Sequence, residues 1–510
     1  ALELMDYQII TVQVDNLSRL FALIFSLMAF AGGLFALNQK RILELSAAFT
    51  YAGSAVGVAF AGDLITLFVF WEIMALGSTL VLLSADTPQA SRAAMRYFVV
   101  HMFGGALMLT GIFLFVYDTG GVAFGPMELN SAATALILAG VLVNAAAPPL
   151  SAWLADAYPE ASWSGTVFLS AFTTKAAVYV LIRGFPGTDL LIYVGVFMIF
   201  YGIIMALLEN DMRRILAYSI VNQVGFMVTG VGIGTEMALN GAAAHAFAHI
   251  IYKALLLMSA GSVLFMTGKR KCTDLGGLFQ SMPLTTLCGT IGALAISSFP
   301  WTSGFVSKSM INQAAANEHL ALLWFCLMAA SAGVFLHAGI KFPWFVFFQK
   351  DSGLRPKDPP WNMRLAMILF SAFCIGIGVW PEHLYSLLPY AVDYEPYTDA
   401  HLLNALQLLL FAGLAFFLML PMMKRTLTIS LDTDWLYRRL ASGIIDKLSG
   451  LIGNTDRSIR LRFMSGLHSI IDYVWQHHGP EGSMARTWTT GNMVLLVTIF
   501  LGVYLAFSFI

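Results

Sequence analysis

Long apolar segments follow one another almost from end to end of this 510-residue chain. The hydrocarbon core of a bilayer is roughly 30 Å thick, and a helix of about 20 apolar residues crosses it. Because that core has no water to satisfy backbone groups, a spanning segment must form either a helix or part of a closed barrel. Charged residues make up 11% of the chain, against roughly 25% in soluble domains. The sequence therefore predicts an all-α, polytopic membrane protein.

Fourteen segments are long and apolar enough to be transmembrane helices. They lie near 16–37, 43–61, 63–84, 94–117, 131–155, 163–183, 189–208, 212–233, 237–267, 284–314, 320–348, 361–380, 403–422 and 490–509. We divide the chain into an N-terminal span (1–42), a first five-helix repeat (43–186), a second five-helix repeat (187–350), two further spans (351–425), an amphipathic interfacial segment (426–488) and a final span (489–510).

The basic residues of the loops predict the orientation. Of the 28 lysines and arginines, 22 fall on one side of the predicted spans, only Arg19 and Arg183 fall on the other, and the remaining four are lysines inside the spans. Cytoplasmic loops of membrane proteins carry an excess of basic residues. We therefore expect the basic loops in the cytoplasm, both termini outside, and the chain in a bacterial-type inner (plasma) membrane.

Two predicted spans contain interruptions. The fifth carries Pro148-Pro149 shortly after Asn144, and the tenth carries SSFPWTSGF before Lys308. They are the fourth members of the two five-span repeats, which must have opposite orientations because each has an odd number of spans. Broken helices in corresponding positions are typical of inverted-repeat transporters. The alternative is that the prolines are only tolerated kinks.

The segment 426–488 differs from the spans. It alternates apolar and basic positions at helical spacing, which is typical of helices that lie in the membrane interface. We expect Gly450, Gly453 and Gly466 to break it into pieces. The segment is either a surface anchor or a lateral brace against a neighbouring subunit.

Charged residues occur inside the predicted spans, where each costs about 2.5–3.5 kcal/mol on insertion scales and usually marks an ion or proton path. Glu72 lies deep in the third span, and Lys175 lies near the middle of the sixth. A buried carboxylate must either take up a proton or find a cation. The alternatives are a structural ion pair or polar cap for Glu72, and a side chain that extends to the interface for Lys175.

His245, His249 and Lys253 are spaced four residues apart, so they share one face of a helix. Histidine titrates near neutrality, and neighbouring titratable groups couple, so the three side chains form a plausible proton relay. A hydrogen-bonded seam between helices is the structural alternative. Metal binding is disfavoured, because no carboxylate or cysteine completes a ligand set.

Three more titratable groups belong to the candidate path. Lys308 follows the second interruption, where water can reach it, and His337 and Lys341 share a face of the eleventh span. Lys341 has the weakest case, since it lies nearer the cytoplasmic end. His101 is a lone histidine of the fourth span, and its role stays open.

The sequence excludes several other functions. Its four cysteines are scattered without metal-ligand spacing, and no Rossmann or P-loop glycine pattern is present. We therefore expect no cofactor and no metal in this chain; any redox cofactors would lie in other subunits. A net charge of −1 gives no indication of nucleic-acid binding.

Several stretches across residues 15–345 resemble one known family in the right order. They are FVFWEIM, PPLSAWLADAYPEA, TTKAAVYVLIR, ENDMRRILAYSIVNQVGF, HAFAHIIYKALL and FPWTSGFVSKSMI. The chain resembles the antiporter-like subunits of Mrp-type cation/proton antiporters, respiratory complex I and membrane-bound hydrogenases, and most of all the D-type component of the Mrp antiporters.

The resemblance implies two inverted five-helix units, each with a half-channel, joined by a central polar axis. It implies pathway roles for Glu72, for Lys175, for the residues His245, His249 and Lys253 of one helix, and for Lys308. Two departures stand out: the family's lysine in the first broken helix is Asn144 here, and two N-terminal helices of the family are missing from the sequence. Glu72 therefore lacks its expected partner.

Three functions follow from these expectations. The first is a proton-translocating subunit of a multisubunit membrane complex, with Na⁺/H⁺ exchange left open. The second is the pumping module of a redox-driven complex, NADH dehydrogenase-like or hydrogenase-like, so that the chain is at most the membrane arm of an oxidoreductase. The third is a non-conducting structural subunit, which the substitution at Asn144 motivates. In all three the partners are other membrane subunits.

Overall fold

The computed structural model describes residues 2–4, 7–421, 432–480, 482 and 488–509. These fall into two compact units, residues 1–434 and 435–510. A two-stranded antiparallel ribbon, β1 (Leu2–Leu4) and β2 (Tyr7–Ile9), begins the first unit. Every other regular element of the described residues is helical, which confirms the predicted all-α class.

The first half of the larger unit contains eight helices. They are α1 (Asn16–Phe35), α2 (Ile42–Phe60), α3 (Leu64–Leu83), α4 (Pro88–Thr119), α5 (Ala132–Asn144), α6 (Trp153–Ala157), α7 (Gly165–Leu169) and α8 (Thr173–Gly184).

Nine further helices complete this unit. They are α9 (Leu190–Leu208), α10 (Met212–Ile233), α11 (Glu236–Thr267), α12 (Pro283–Ile296), α13 (Ser303–Asn317), α14 (Ala321–Val334), α15 (Trp361–Val379), α16 (Glu382–Tyr385) and α17 (Asp399–Met419).

Polar residues at the helix ends explain where several spans begin and stop. The side chains of Asp15 and Asp63 accept backbone N–H groups in the first turns of α1 and α3, and Thr87 does so for α4. Helices α4 and α11 end at Gly120 and Gly268, which take the left-handed conformation that glycine adopts without strain. The apolar runs are thus separated by local stop signals.

Twelve helices in the described residues are long and apolar enough to cross a membrane. Two shorter apolar helices, α5 and α12, have 13 and 14 residues. Both shorter helices end at the interruptions predicted for the fifth and tenth spans. The chain is therefore a membrane protein of many apolar helices, but the predicted total of fourteen spans is not confirmed.

The breaks extend further than the sequence predicted. After α5, turns over residues 145–152 lead into the short α6, so the predicted span 131–155 is not one helix. The sixth span, predicted as continuous, is interrupted at residues 170–172 between α7 and α8. The eleventh span changes from α14 into π-helical turns at Phe335–Lys341 and Trp344–Phe348.

The core lies around α8, α10 and α11. The helical stretch Gly165–Gly184 and helix α10 are buried throughout their most apolar windows, and α11 packs against α10, α12, α13 and α15. The titratable side chains of α8 and α11 are therefore enclosed by protein rather than by lipid.

The smaller unit contains α18 (Ser442–His478) and α19 (Thr490–Ser508). Helix α18 runs without interruption, so the expectation that Gly450, Gly453 and Gly466 break it is wrong. A glycine costs a helix only about 1 kcal/mol relative to alanine, which a long helix tolerates. The predicted interfacial segment is described only in part, because 426–431, 481 and 483–487 lie outside the described residues.

Candidate functional site

Glu72 lies on α3 with its carboxyl group directed at α4. Its Oε1 atom is buried and has no hydrogen-bond partner among the described residues. A Cβ atom built on Gly105 of α4 would lie 2.1 Å from Oε1, so the carboxyl group in its present position requires a glycine there. Glu72 is half-buried, with Oε1 packed closely against α4.

Asn144 is the last residue of α5 and is 1% exposed. In the described part of the chain its Oδ1 atom, like Glu72 Oε1, has no hydrogen-bond partner. The structure thus places both predicted residues inside the first repeat but shows no hydrogen bond between their side chains.

Aromatic side chains surround the first break. Trp153 Nε1 donates a hydrogen bond of 2.9 Å to the carbonyl of Val143, in the last turn of α5. His101 stacks on Tyr97 with ring centroids 3.8 Å apart and meets Trp153 edge-on at 4.5 Å. The lone histidine of the fourth span is therefore part of the packing around this break.

Lys175 lies just after the break between α7 and α8, as the third residue of α8. It is fully buried, and its Nζ donates to the carbonyl of Ser170 at 2.6 Å and to Thr174 Oγ1 at 3.1 Å. The break leaves the Ser170 carbonyl free to accept this bond. The interruption between α7 and α8 is thus what allows a lysine to be solvated by protein at this depth.

The three α11 residues are fully buried but have different surroundings. His245 uses both ring nitrogens: Nδ1 lies 3.0 Å from Ser307 Oγ, and Nε2 lies 3.1 Å from Gln223 Oε1. In contrast, both ring nitrogens of His249 and the Nζ of Lys253 have no hydrogen-bond partner in the described residues. Buried polar groups without partners are rare and mark strained or functional sites.

Electrostatic interactions join α8 to α11. Lys175 interacts with His245, His249 and Lys253, and Lys308 interacts with both histidines. The histidine rings lie 6.3 Å apart. The structure thus brings together residues that are separated by up to 133 positions, and the predicted central cluster of Lys175, His245, His249, Lys253 and Lys308 forms within one electrostatic neighbourhood.

Lys308 lies on α13, after the break that separates α12 from α13. Its Nζ donates to the carbonyl of Ile296, the last residue of α12, at 3.1 Å, and lies 4.8 Å from the centroid of the Phe226 ring. Lys175 and Lys308 are therefore held in the same way, each by a carbonyl that a helix break sets free.

A cavity of about 80 Å³ adjoins Lys308. Its polar lining comes from the break, from α13, from α14 and from α17; it includes Ser297, Ser309, Asn312, Gln313, Ser331, His401 and Asn404. His401 Nε2 lies 3.0 Å from Gln313 Oε1. Because a water molecule needs only about 10–15 Å³ of such space and a few polar partners, the cavity suits water.

His337 and Lys341 lie in a π-helical turn, a feature that often marks functional sites. His337 is fully buried and interacts electrostatically with Lys253, Lys308 and Lys341. Lys341 instead donates to the carbonyls of Ala206, Leu207 and Glu209, at the end of α9. His337 therefore borders the central cluster, whereas Lys341 caps a helix.

Sequence reasoning missed three residues of this site. Gln223, Tyr252 and Ser307 are uncharged and lie inside regular helices, so no charge pattern indicates them. Tyr252 is seven residues from His245 and thus on the same face of α11, which is the signal that could have found it. No group of three or more metal-ligating side chains is found in the residues that the structure describes.

Residues 61–336 match a protein family described as NADH:quinone oxidoreductase/Mrp antiporter, transmembrane. This match covers more than half of the chain. The chain belongs to this family. The resemblance predicted from the six motifs is thereby confirmed.

Curated relatives come from both branches of the family. The chain is 31% identical over 285 residues to the D-type component of the Na⁺/H⁺ antiporter of Alkalihalophilus pseudofirmus, covering 52% of this chain and 57% of the relative. It is 32% identical over 274 residues to the N-type component of the NADH-quinone oxidoreductase of Desulforudis audaxviator, covering 50% and 54%. The matches thus span little more than half of each relative.

Two solved structures share the fold. A chain of the Mrp complex from Dietzia sp. superposes with a TM-score of 0.68 at 21% identity, covering 80% of this chain and 86% of that one. A chain of the archaeal membrane-bound sulfane sulfur reductase superposes with a TM-score of 0.70 at 23% identity, covering 99% and 90%. Nearly the whole chain therefore follows one architecture.

Proposed function

We propose that this chain is a proton-translocating, antiporter-like subunit of a multisubunit membrane complex. One observation carries the proposal: five buried titratable groups of α8, α11 and α13 form a connected cluster, in which each interacts electrostatically with at least one other. Such groups are costly inside a membrane unless they have a task, and the usual task is an ion or proton path.

The order of the groups suggests the route of a proton. Lys175 stands at one end, His249, Lys253 and His245 of α11 follow, and Lys308 stands at the other end. Positive charges this close repel, so the arrival of one proton favours the departure of another. Glu72 and Asn144 lie in the first repeat, where the Glu72 carboxyl modulates the charge of the relay. His337 borders the relay on the far side of Lys253.

The cavity beside Lys308 supplies access to water. Its polar residues on α13 follow helical spacing from Lys308 through Asn312, and α17 contributes the opposite wall with His401 and Asn404. A proton that leaves Lys308 thus meets hydroxyl, amide and imidazole groups rather than lipid.

The orientation and assembly belong to the same proposal. The basic loops lie in the cytoplasm of a bacterial-type cell, both termini lie outside, and the two five-helix repeats at 43–186 and 187–350 are inverted copies. Other membrane subunits are the partners, since the relatives are named as subunits. Helix α18 is the brace toward one of them.

Two energy sources fit this machinery. A relative that is named as part of a Na⁺/H⁺ antiporter favours exchange of protons for Na⁺. A relative that is named as part of an NADH-quinone oxidoreductase favours a pumping module whose cofactors lie in other chains. The proton gradient across native membrane vesicles separates the two. If Na⁺ alone dissipates the gradient, the chain belongs to an antiporter. If the gradient is built only when a reductant and its acceptor are added, the chain belongs to a redox-driven pump.

The transport role is tested in vesicles that contain the intact complex, with ΔpH followed by a fluorescent probe. We expect Lys175→Ala and Lys308→Ala each to reduce proton movement at least about tenfold, since each removes a proton-binding group of the relay. Lys269→Ala, at an exposed loop lysine, is the matched control and keeps full transport. Unchanged transport in both relay variants would leave the chain as a non-conducting structural subunit.

A further inference from the structure

His245 differs from the other buried groups because its surroundings suit both of its protonation states. Its Nδ1 faces the hydroxyl of Ser307 at 3.0 Å, and its Nε2 faces Gln223 Oε1 at 3.1 Å and the Tyr252 hydroxyl at 3.3 Å. All four side chains are fully buried. No solvent is therefore needed to complete these bonds.

Gln223 determines which nitrogen of the neutral ring carries the proton. Its Nε2 donates to Asn222 Oδ1, which turns its Oε1 toward His245, and this same oxygen accepts from the Tyr252 hydroxyl at 3.1 Å. An amide oxygen only accepts hydrogen bonds, so the ring atom facing it must be Nε2–H. The neutral ring therefore presents a bare Nδ1 to Ser307.

Ser307 has two choices for its single hydroxyl proton. Its Oγ lies 3.0 Å from His245 Nδ1, 3.1 Å from the carbonyl of Ser303 and 3.3 Å from that of Gly304. When His245 is neutral, the hydroxyl donates to Nδ1. When His245 is charged, Nδ1–H donates to the hydroxyl oxygen, and the hydroxyl proton turns to the Ser303 carbonyl.

We propose that Ser307 and Gln223 are positioning residues that let His245 alternate between its neutral and charged forms, which makes His245 the proton-carrying histidine of α11. This inference rests on the proposed function and assigns its central step to one side chain. His249, whose ring nitrogens have no partner among the described residues, lacks such a reversible neighbour. Ser307 is also adjacent to Lys308 on α13. The direction of its hydroxyl proton therefore couples the charge of His245 to the broken helix that carries the next lysine.

Other charged or titratable groups face His245 from each neighbouring helix. They are Lys175 on α8, Lys308 on α13 and His249 on α11 itself. The two lysines repel a charged His245, so the acceptors Ser307 and Gln223 are what compensate that repulsion. Both states lose a hydrogen bond when Ser307 is removed, but the bond to the charged ring is the stronger one, so the charged state is penalised more than the neutral state.

The test compares the pH dependence of proton transport by the intact complex in vesicles. In Ser307→Ala we expect the pH of half-maximal transport to move down by about one unit, because the hydrogen bond lost from the charged ring is stronger than the one lost from the neutral ring. Ser307→Thr keeps the hydroxyl and should restore the parent profile. Ser259→Ala, which removes a buried α11 hydroxyl that donates to the Leu256 carbonyl, is the matched control and should leave the profile in place.

Gln223→Glu gives an independent arm. A carboxylate at this position accepts from Nε2–H and favours the charged ring, so the profile should move up rather than down. Suppose that the pH profile shifts in neither Ser307→Ala nor Gln223→Glu while Lys308→Ala still abolishes transport. This result would overturn the positioning role of Ser307 and Gln223 but would still support the proton relay. If none of the lysine variants lost transport, the proposed function itself would be refuted.

Discussion

The Nζ atom of Lys341 lies 2.6 Å from the carbonyl oxygen of Leu207, in the last turn of α9. Two further carbonyls, of Ala206 and Glu209, accept from the same ammonium group. The last carbonyls of a helix have no partner within it, and a cation at that end also favours the helix dipole. The apolar run around Lys341 indicated a buried charge, but the contact partners indicate a helix cap.

We therefore predict that Lys341→Met affects stability more than transport. The substitution leaves three carbonyls without their donor, and each lost hydrogen bond costs about 0.5–1.5 kcal/mol. Thermal unfolding of the detergent-solubilised protein should begin several degrees lower, whereas Lys357→Met, at an exposed lysine, should have no effect. If Lys341→Met retained full stability but lost transport as Lys308→Ala does, Lys341 would belong to the relay.

The close approach of Glu72 to Gly105 provides a second prediction. In Gly105→Ala the new Cβ would come within 2.1 Å of Glu72 Oε1, so the carboxyl group must move. We expect proton transport by the complex to fall several-fold while the protein still folds, because only a side-chain end has to give way. Gly53→Ala is the control, since a Cβ there has no neighbour within 4 Å. Equal transport in the two variants would show that the position of Glu72 has no influence.

Asn144 allows a test of the missing ion pair. Asn144→Lys places an ammonium group at the end of α5, inside the first repeat that carries Glu72, and opposite charges stabilise each other strongly where water is excluded. Infrared spectra at neutral pH should then show more carboxylate and less protonated carboxyl, with the band assigned through Glu72→Gln. Asn144→Met, which adds length without charge, should leave the spectrum unchanged. If the spectrum of Asn144→Lys were the same as that of the parent protein, the result would argue against an ion pair between the new lysine and Glu72.

Much of the fold could be predicted because the length of an apolar segment is a strong local signal. The central cluster was also accessible, since a lysine in an apolar run is conspicuous and helical spacing groups His245 with His249. Geometry that depends on tertiary contacts could not be predicted from the sequence. The break before Lys175 consists of Ser-Ala-Phe, which contains no proline or glycine, and only the structure shows that the freed Ser170 carbonyl accepts from this lysine. Gln223 carries no charge and is recognised only by its position between Tyr252 and His245.

The N-terminal span is joined to the first repeat by an ion pair that makes stability depend on pH. Arg183 Nη2 lies 2.6 Å from Asp15 Oδ2, while Ser18 N–H donates to Asp15 Oδ1 at 2.8 Å. Burial opposes ionisation of Asp15, but the Ser18 amide and Arg183 together hold its pKa below the ordinary value of 3.8. Folding therefore favours the ionised carboxyl, and this stabilisation is complete above the unfolded-state pKa and disappears as the pH falls through the folded-state pKa.

We expect Asp15→Asn to lower the free energy of unfolding at pH 7 by about 0.2–1 kcal/mol, because the Asp15 side chain is partly exposed and such pairs are weak. Asparagine still caps α1, so the loss reports the charge rather than the cap. Thermal unfolding in detergent at pH 7, 5 and 3 measures the effect. The difference between parent and variant should be the same at pH 7 and 5 and should shrink at pH 3. A difference that grew on acidification would mean that Asp15 is protonated in the folded protein and that Arg183 is held by other groups.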